Sequence, residues 1–367
     1  MPPDNERHNM RMRMFDEKED MDAFLSLFQA SFEETLSKDC FNWKYVKNPF
    51  LIGRIPIIIA EENGRIVGAR PFLATRMSVN GKVVDALQPC DAMVHPEFQG
   101  KGIFGQLNKF AIGEFQGSDY KIFYNFPNKN SFPGNVKSGW QIICETNWHW
   151  RVLNAARIFE SVFENNPLRL VGGLISPLLW LRFRVPRFRD GSTTIGTVDD
   201  IGVLERIFNA WRNDQYIFTI RDRKYLEWRF KSRPEREYQF IVAQVGGEAK
   251  GYFVLSTETF RGMKRGTIVD YLVIGNDPST FRSLLIYSMN HLRDQDCDLV
   301  DTWAFTQKWA EEIVVGCGFI SSRSILIRRW FPKSNQSFVA RPIDKDHFPC
   351  NLQQMKWYIT PSDSDVF

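Results

Sequence analysis

Apolar positions along the chain alternate between helical and extended spacing. Between residues 20 and 35 they recur about every three to four residues, as on one helix face. Residues 57–60 and 66–75 are β-branched, apolar runs on either side of Asn63 and Gly64, a hairpin signature. The pattern predicts a strand over 11–15, that helix, and then the hairpin. Further on, Ile103, Leu107, Phe110 and Ala111 fall on one helical face with Gly117 as its stop, and 120–126 reads as a buried strand. A strand over 193–198 and a helix over 200–211 open a second series, and 356–360 is a final strand.

The second series repeats the first, about 180 residues on. Trp43, Tyr45 and Pro49 answer Trp228, Phe230 and Pro234. Ile58, Ala60, Gly64 and Gly68 answer Ile241, Ala243, Gly247 and Gly251. Asp91 and Val94 answer Asp270 and Val273, and Gly139 and Trp140 answer Gly318 and Phe319. Such ordered matches predict two copies of one α/β unit. The expected division is a first domain over 1–150, a connector over 151–190, a second domain over 191–330 and a tail over 331–367.

Between strand and helix in the first copy, Gln99, Gly100, Lys101 and Gly102 form a short glycine loop. Two glycines let main-chain amides turn inward, and the helix that follows adds unpaired amides and the positive end of its dipole. That is apparatus for a phosphate or diphosphate. A Walker A loop is excluded, because Lys101 precedes Gly102 and Ile103 and offers magnesium no hydroxyl. Gly100, Gly102 and Gly105 have dinucleotide-fingerprint spacing, but Asp119 precedes the next strand instead of ending it. In the second copy Asn276, Asp277 and Pro278 replace the loop: a donor is lost and a repelling charge gained. One phosphate site per chain is expected.

The segment from Val94 and Pro96 through Gln99, Gly100, Lys101 and Gly102 resembles the acetyl-CoA loop of GNAT acyltransferases, with Phe104 where a Gly or Ala is usual. Asn128, Ser131, Lys137, Gly139 and Trp140 resemble the segment that follows the splayed strand in that superfamily. The fold implied is α/β: tandem GNAT-like units, each a mixed, mostly antiparallel sheet with splayed central strands and helices on both faces. The resemblance implies acetyl-CoA as cosubstrate, held by Met93, Val94, Gln99, Gly100, Lys101, Gly102, Ile103, Phe104, Asn128 and Ser131. Met93 and Val94 would hold the thioester through their main chain. Asp91 is the implied base for the incoming amine, with His95 as a lesser candidate. Asn135 stands where many family members carry the Tyr that protonates the thiolate, which leaves Tyr124 as the nearby hydroxyl.

Closest in pattern is the two-copy GNAT group that includes aminoglycoside-acetylating and surface-polysaccharide-associated enzymes. The acceptor implied is a primary amine on a small molecule such as an amino sugar, for which Trp140, Trp148 and Trp150 offer aromatic faces. Two other readings stand beside it: a non-catalytic CoA-binding regulator, which Asn135 favours, and a tRNA-dependent aminoacyl transferase. The 367 residues carry a net charge of +4 from 47 basic and 43 acidic side chains, spread without blocks. That favours anionic small ligands and gives no nucleic-acid stripe. Six dispersed cysteines and five histidines predict reduced thiols, no metal site and a cytoplasmic setting. No cleavable leader is expected in 1–22. The apolar stretch 168–183, broken by Arg169, Gly172, Gly173, Pro177 and Arg182, suits a packed connector or a surface contact with membrane, not a span.

Overall fold

A computed structural model describes residues 10–154, 157–158, 193–260, 262–304, 306–324, 337–343 and 351–366. Two sheets organise these residues, each the centre of its own unit. The first unit comprises Met1–Cys144 and Ser337–Met355, and the second Glu145–Gln336 and Lys356–Phe367.

In the first unit, β1 (Met10–Met14), β2 (Ile57–Glu62), β3 (Arg65–Val79) and β4 (Lys82–Pro89) form an antiparallel run. The β2–β3 turn is the expected Asn63 and Gly64, both with positive φ, as a tight hairpin requires. β5 (Met93–Val94) pairs with β3, and β6 (Tyr120–Asn125) lies parallel to β4. Helices pack on both faces of this mixed sheet. Asp16 caps the helix Glu17–Phe32 through the amides of Lys18 and Glu19. Its Phe24 seats among Phe15, Phe41 and Tyr45. The helix Ile103–Glu114 lies so close to β3 that a Cβ at Gly68 would come 3.0 Å from Ile103.

The second unit repeats this order. Its sheet runs β9 (Thr193–Val198), β11 (Tyr238–Val245), β12 (Glu248–Phe260), β13 (Met263–Val273) and β14 (Leu299–Trp303). The shared Trp motif forms a π-helical turn in each copy, Asn42–Val46 and Glu227–Lys231. A short strand β10 (Tyr216–Thr219) pairs in parallel with β17 (Lys356–Tyr358), so the final strand expected over 356–360 forms and belongs to this unit.

Two segments depart from the expected division. Residues 148–152, which the expected division splits between the first domain and the connector, form β8 (Trp148–Val152) beside β14, with Trp150 opposite Asp301. Residues 337–342, counted as tail, form β16 (Ser337–Pro342) beside β6, with Val339 opposite Asn125. Each sheet thus takes its penultimate strand from beyond its own stretch of sequence. In the first, β16 stands between β6 and β7 (Gln141–Glu145); in the second, β8 stands between β14 and β15 (Ile320–Ser321). Most of the expected connector, and the apolar stretch 168–183, lie outside the described residues. Among the described residues no helix is long and apolar enough to cross a membrane.

The second unit encloses a charged cluster. The Arg221 guanidinium donates to both Asp270 oxygens, to Thr360 and to Asp363, and Arg221, Asp270 and Asp363 are fully buried. Removing one member leaves the others charged and dry, which costs far more than the pair contributes. Arg221→Met should therefore lower stability by about 3–5 kcal/mol, read as a fall in the denaturant midpoint. An unchanged midpoint would show that the cluster is not closed in solution.

Candidate active site

The first sheet opens along one seam. Ladder pairing between β4 and β6 ends at Leu87 with Phe123, and no pair joins 88–94 to 124–126. One cause is a bend at Asp91, whose φ of 43° is left-handed, a conformation Asp tolerates better than most residues. Its carboxylate is anchored there: Lys44 Nζ donates at 2.7 Å and the Tyr45 hydroxyl at 2.5 Å. Burial first, and then the neighbouring Asp91 charge, push the Tyr45 hydroxyl well above its ordinary pKa, so it stays a donor.

Past the bend the chain rejoins β3. The His95 amide donates to the Val67 carbonyl, and Met93 stands opposite Ala69. Antiparallel pairs alternate, so the ladder takes the main-chain groups of Met93 and turns those of Val94 away from β3, toward the seam. The Val94 carbonyl accepts from the Gln99 side chain at 3.3 Å. Its amide faces the opening.

The glycine loop follows directly. Pro96–Phe98 make one 3-10 turn, and His95 Nε2 lies 2.8 Å from Arg65, so the imidazole braces the loop. Gly100 and Gly102 have φ of 80° and 75°, and a Cβ at either would meet open space. Gly102 begins the helix Ile103–Glu114 with no side-chain cap. The first amides of that helix have no side-chain acceptor, and the exposed Lys101 stands beside them with its ammonium 4.3 Å over the Phe98 ring.

Phe104 turns away from the loop and packs against the helix Phe132–Lys137, at Gly134. A Cβ on Gly134 would come 2.7 Å from the Phe104 ring. The bulky residue at the position where GNAT proteins favour Gly or Ala is thus matched by a missing side chain opposite. The other side of the ring meets Arg70, whose guanidinium lies 5.0 Å from its centroid. Arg70 is 2% exposed and reaches Asn135 Oδ1 at 3.2 Å. No motif marks Arg70; its one signal in the sequence is a charge inside the apolar run 66–75.

Tyr124 is the first residue past the last β4–β6 pair and is 2% exposed. Arg70 and Phe72 share one face of β3, and Phe72 meets Phe123 of β6 across β4. Tyr124 therefore projects from the opposite face. Asn128 Oδ1 accepts from the amides of Asn130 and Ser131 and lies 3.2 Å from the Ser131 hydroxyl, so both residues shape the turn into the next helix. The three tryptophans do not gather. Trp140 stacks on Phe123 in the first unit, Trp148 and Trp150 pack with Trp303 or each other in the second, and all are buried. They fill cores because their faces are already used by other rings.

The second unit has the same seam, closed. β13 and β14 stop pairing at Ile268 with Thr302. The Tyr271 hydroxyl then donates to the Trp303 carbonyl at 3.0 Å, and the Tyr358 hydroxyl to the Tyr271 carbonyl at 2.9 Å. The first unit has Ala92 where the repeat places Tyr271. At the matching helix, Asp277 caps the Thr280 amide at 2.8 Å with Pro278 in the first turn. An anion there would meet a carboxylate already in place.

Comparison with known proteins agrees with this picture. Residues 15–143, most of the first unit, match the family model of the acetyltransferase (GNAT) domain. No curated protein matches the sequence. Among solved structures, a GCN5-related N-acetyltransferase from Anabaena variabilis aligns with a TM-score of 0.61 at 12% identity, over 91% of this chain and 73% of its own. A probable N-acyltransferase from Enterococcus faecalis gives 0.63 at 13%, over the same shares of 91% and 73%. Saccharomyces cerevisiae N-myristoyltransferase, solved with bound myristoyl-CoA, gives 0.59 at 13%, over 90% and 82%. At such identities the likeness is one of fold: two GNAT-like units, the first of which matches the family model.

Phe104 and Gly134 provide a test of the packing beneath the loop. Gly134→Ala should cost about 1–3 kcal/mol through overcrowding, and Phe104→Ala in the same chain should recover most of that loss. A double-mutant cycle with no coupling would mean the two residues do not meet.

Proposed function

We propose that the chain is an acyl-CoA-dependent N-acyltransferase whose single cosubstrate site lies in the first unit. The observation that carries this reading is the pairing of an open seam with an uncapped, glycine-led helix N-terminus. In the second unit both features are closed by its own side chains. In this reading the amides from Gln99 to Phe104 hold the diphosphate of acetyl-CoA, with Lys101 beside it. The pantetheine arm lies along the seam as an extra strand, flanked by Met93 and by the Asn128 and Ser131 turn. The Val94 amide donates to the thioester oxygen as it becomes an oxyanion.

The amine attacks from the opposite face of the sheet, where Asp91 takes its proton directly or through water. Lys44 and Tyr45 fix that carboxylate in place, and Lys44 balances its charge. Tyr124 is the hydroxyl proposed to return a proton to the departing sulfur. The acceptor is a primary amine on a small molecule, with amino sugars the first class to try.

Titration calorimetry with acetyl-CoA should give one site per chain; two sites would overturn the division of labour between the units. Gly102→Val places a β-branched residue at a left-handed φ and a side chain where phosphate oxygens approach. It should weaken acetyl-CoA binding at least about tenfold, a loss of roughly 1.4 kcal/mol, in a protein that still folds. Asp91→Asn should lower kcat by about 10²–10⁴-fold while acetyl-CoA affinity holds. CoA release measured across a panel of amines checks both, and tight binding with no turnover on any amine would point to a CoA-binding regulator instead.

A further inference from the structure

Arginine is almost never fully buried without an anion beside it. Arg70 is such a case. Among the described residues its one hydrogen-bond partner is the neutral amide of Asn135, and its Nε is buried with no partner. The Asn135 Nδ2 is buried and unpartnered as well. Phe72 and Phe104 flank the guanidinium at 5.8 and 5.0 Å and exclude water from its faces. The titratable group whose charge reaches it is the buried thiol of Cys90. Burial pulls the Arg70 pKa down to about 10, the direction expected of a cation short of an anion.

Its place in the sheet says where that anion comes from. The β3–β5 register sets Gly68 opposite Val94 and Ala69 opposite Met93, so Arg70 continues toward the bend, level with the mouth of the seam. Asn135 stands where the GNAT resemblance expects a tyrosine beside the sulfur. We propose that Arg70 faces the sulfur of bound coenzyme A and holds it as the thiolate that leaves when the amide forms. This rests on the acyltransferase reading of the same site.

The step balances without a proton reaching sulfur. The amine nitrogen adds its electron pair to the thioester carbon, and the carbonyl becomes an oxyanion. As that oxyanion collapses, the carbon–sulfur bond breaks and its electron pair stays on sulfur, beside the guanidinium. The proton lost from nitrogen goes to Asp91 or to solvent. Any protonation of the thiolate, by Tyr124 or by water, comes afterwards.

The bound thiol itself gives the test. A free thiol titrates at about 8.5. Beside Arg70, the thiol of bound CoA should titrate at least about one pH unit lower, followed by the ultraviolet absorbance of the thiolate. Desulfo-CoA serves as the blank that removes any contribution from Cys90. Between the bound and free values, CoA affinity should rise up to about tenfold per pH unit, and desulfo-CoA affinity should stay flat. Arg70→Met should return the bound thiol to its free value or above, and Arg70→Lys should retain part of the shift.

A wild-type protein that binds CoA with an unshifted thiol overturns the role of Arg70 and leaves the acyltransferase reading standing. So does a folded Arg70→Met protein in which the shift survives. Failure to bind CoA at all overturns both. Should the variants not fold, the wild-type comparison of CoA with desulfo-CoA decides alone.

Discussion

The site depends on a place where hydrogen bonding stops. β4 and β6 run in parallel register to Leu87 and Phe123 and then part. Beyond that pair no ladder joins the two strands, and an opened edge of a sheet invites an extended ligand. The bend at Asp91 keeps the strands apart, and Lys44 and Tyr45 hold the bend. The same carboxylate is thus the brace of the opening and, in the proposed reaction, the base for the amine. The energetic logic is local: a left-handed backbone at a residue other than glycine persists only where its side chain is tied down.

The two units show how little separates an open seam from a closed one. Their strand orders, their π-helical turns and their seams correspond. Three small changes divide them. Ala92 leaves space where Tyr271 bridges to Trp303, Gly102 leaves a helix start bare where Asp277 caps it, and the Asp91 carboxylate meets Lys44 where Asp270 is enclosed by Arg221 and the final turn of chain. In the second unit Tyr271 and Tyr358 bridge the seam and Asp277 caps the helix start, so protein side chains take those places. That spends the seam on stability.

Much of this was legible in the sequence. The hairpin at Asn63 and Gly64, the helix face of Ile103 and Leu107, and the repeat itself rest on local pattern, and local pattern is what sequence carries best. The glycine loop was legible because a left-handed φ leaves few residue choices. What escaped was long-range. Nothing in residues 148–152 or 337–342 says which sheet they join, because a strand reads the same beside either neighbour. The burial of the tryptophans was not legible, since burial of a ring depends on partners distant in the chain. Arg70 escaped for the same reason: a lone charge in an apolar run gains meaning only when its surroundings prove to lack an anion.

The strand at Ser337–Pro342 also sets a schedule for the ribosome. Every residue through Ser337 must emerge before β6 receives its neighbour, although β1 to β6 are made early. Until then the edge of β6 stands bare, with Tyr124 and Phe126 beside it, and resembles the open strands that seed aggregation. Ligand-independent completion of the first sheet is therefore an act of the whole polypeptide, and a fragment ending at the connector would lack the strand that seals it.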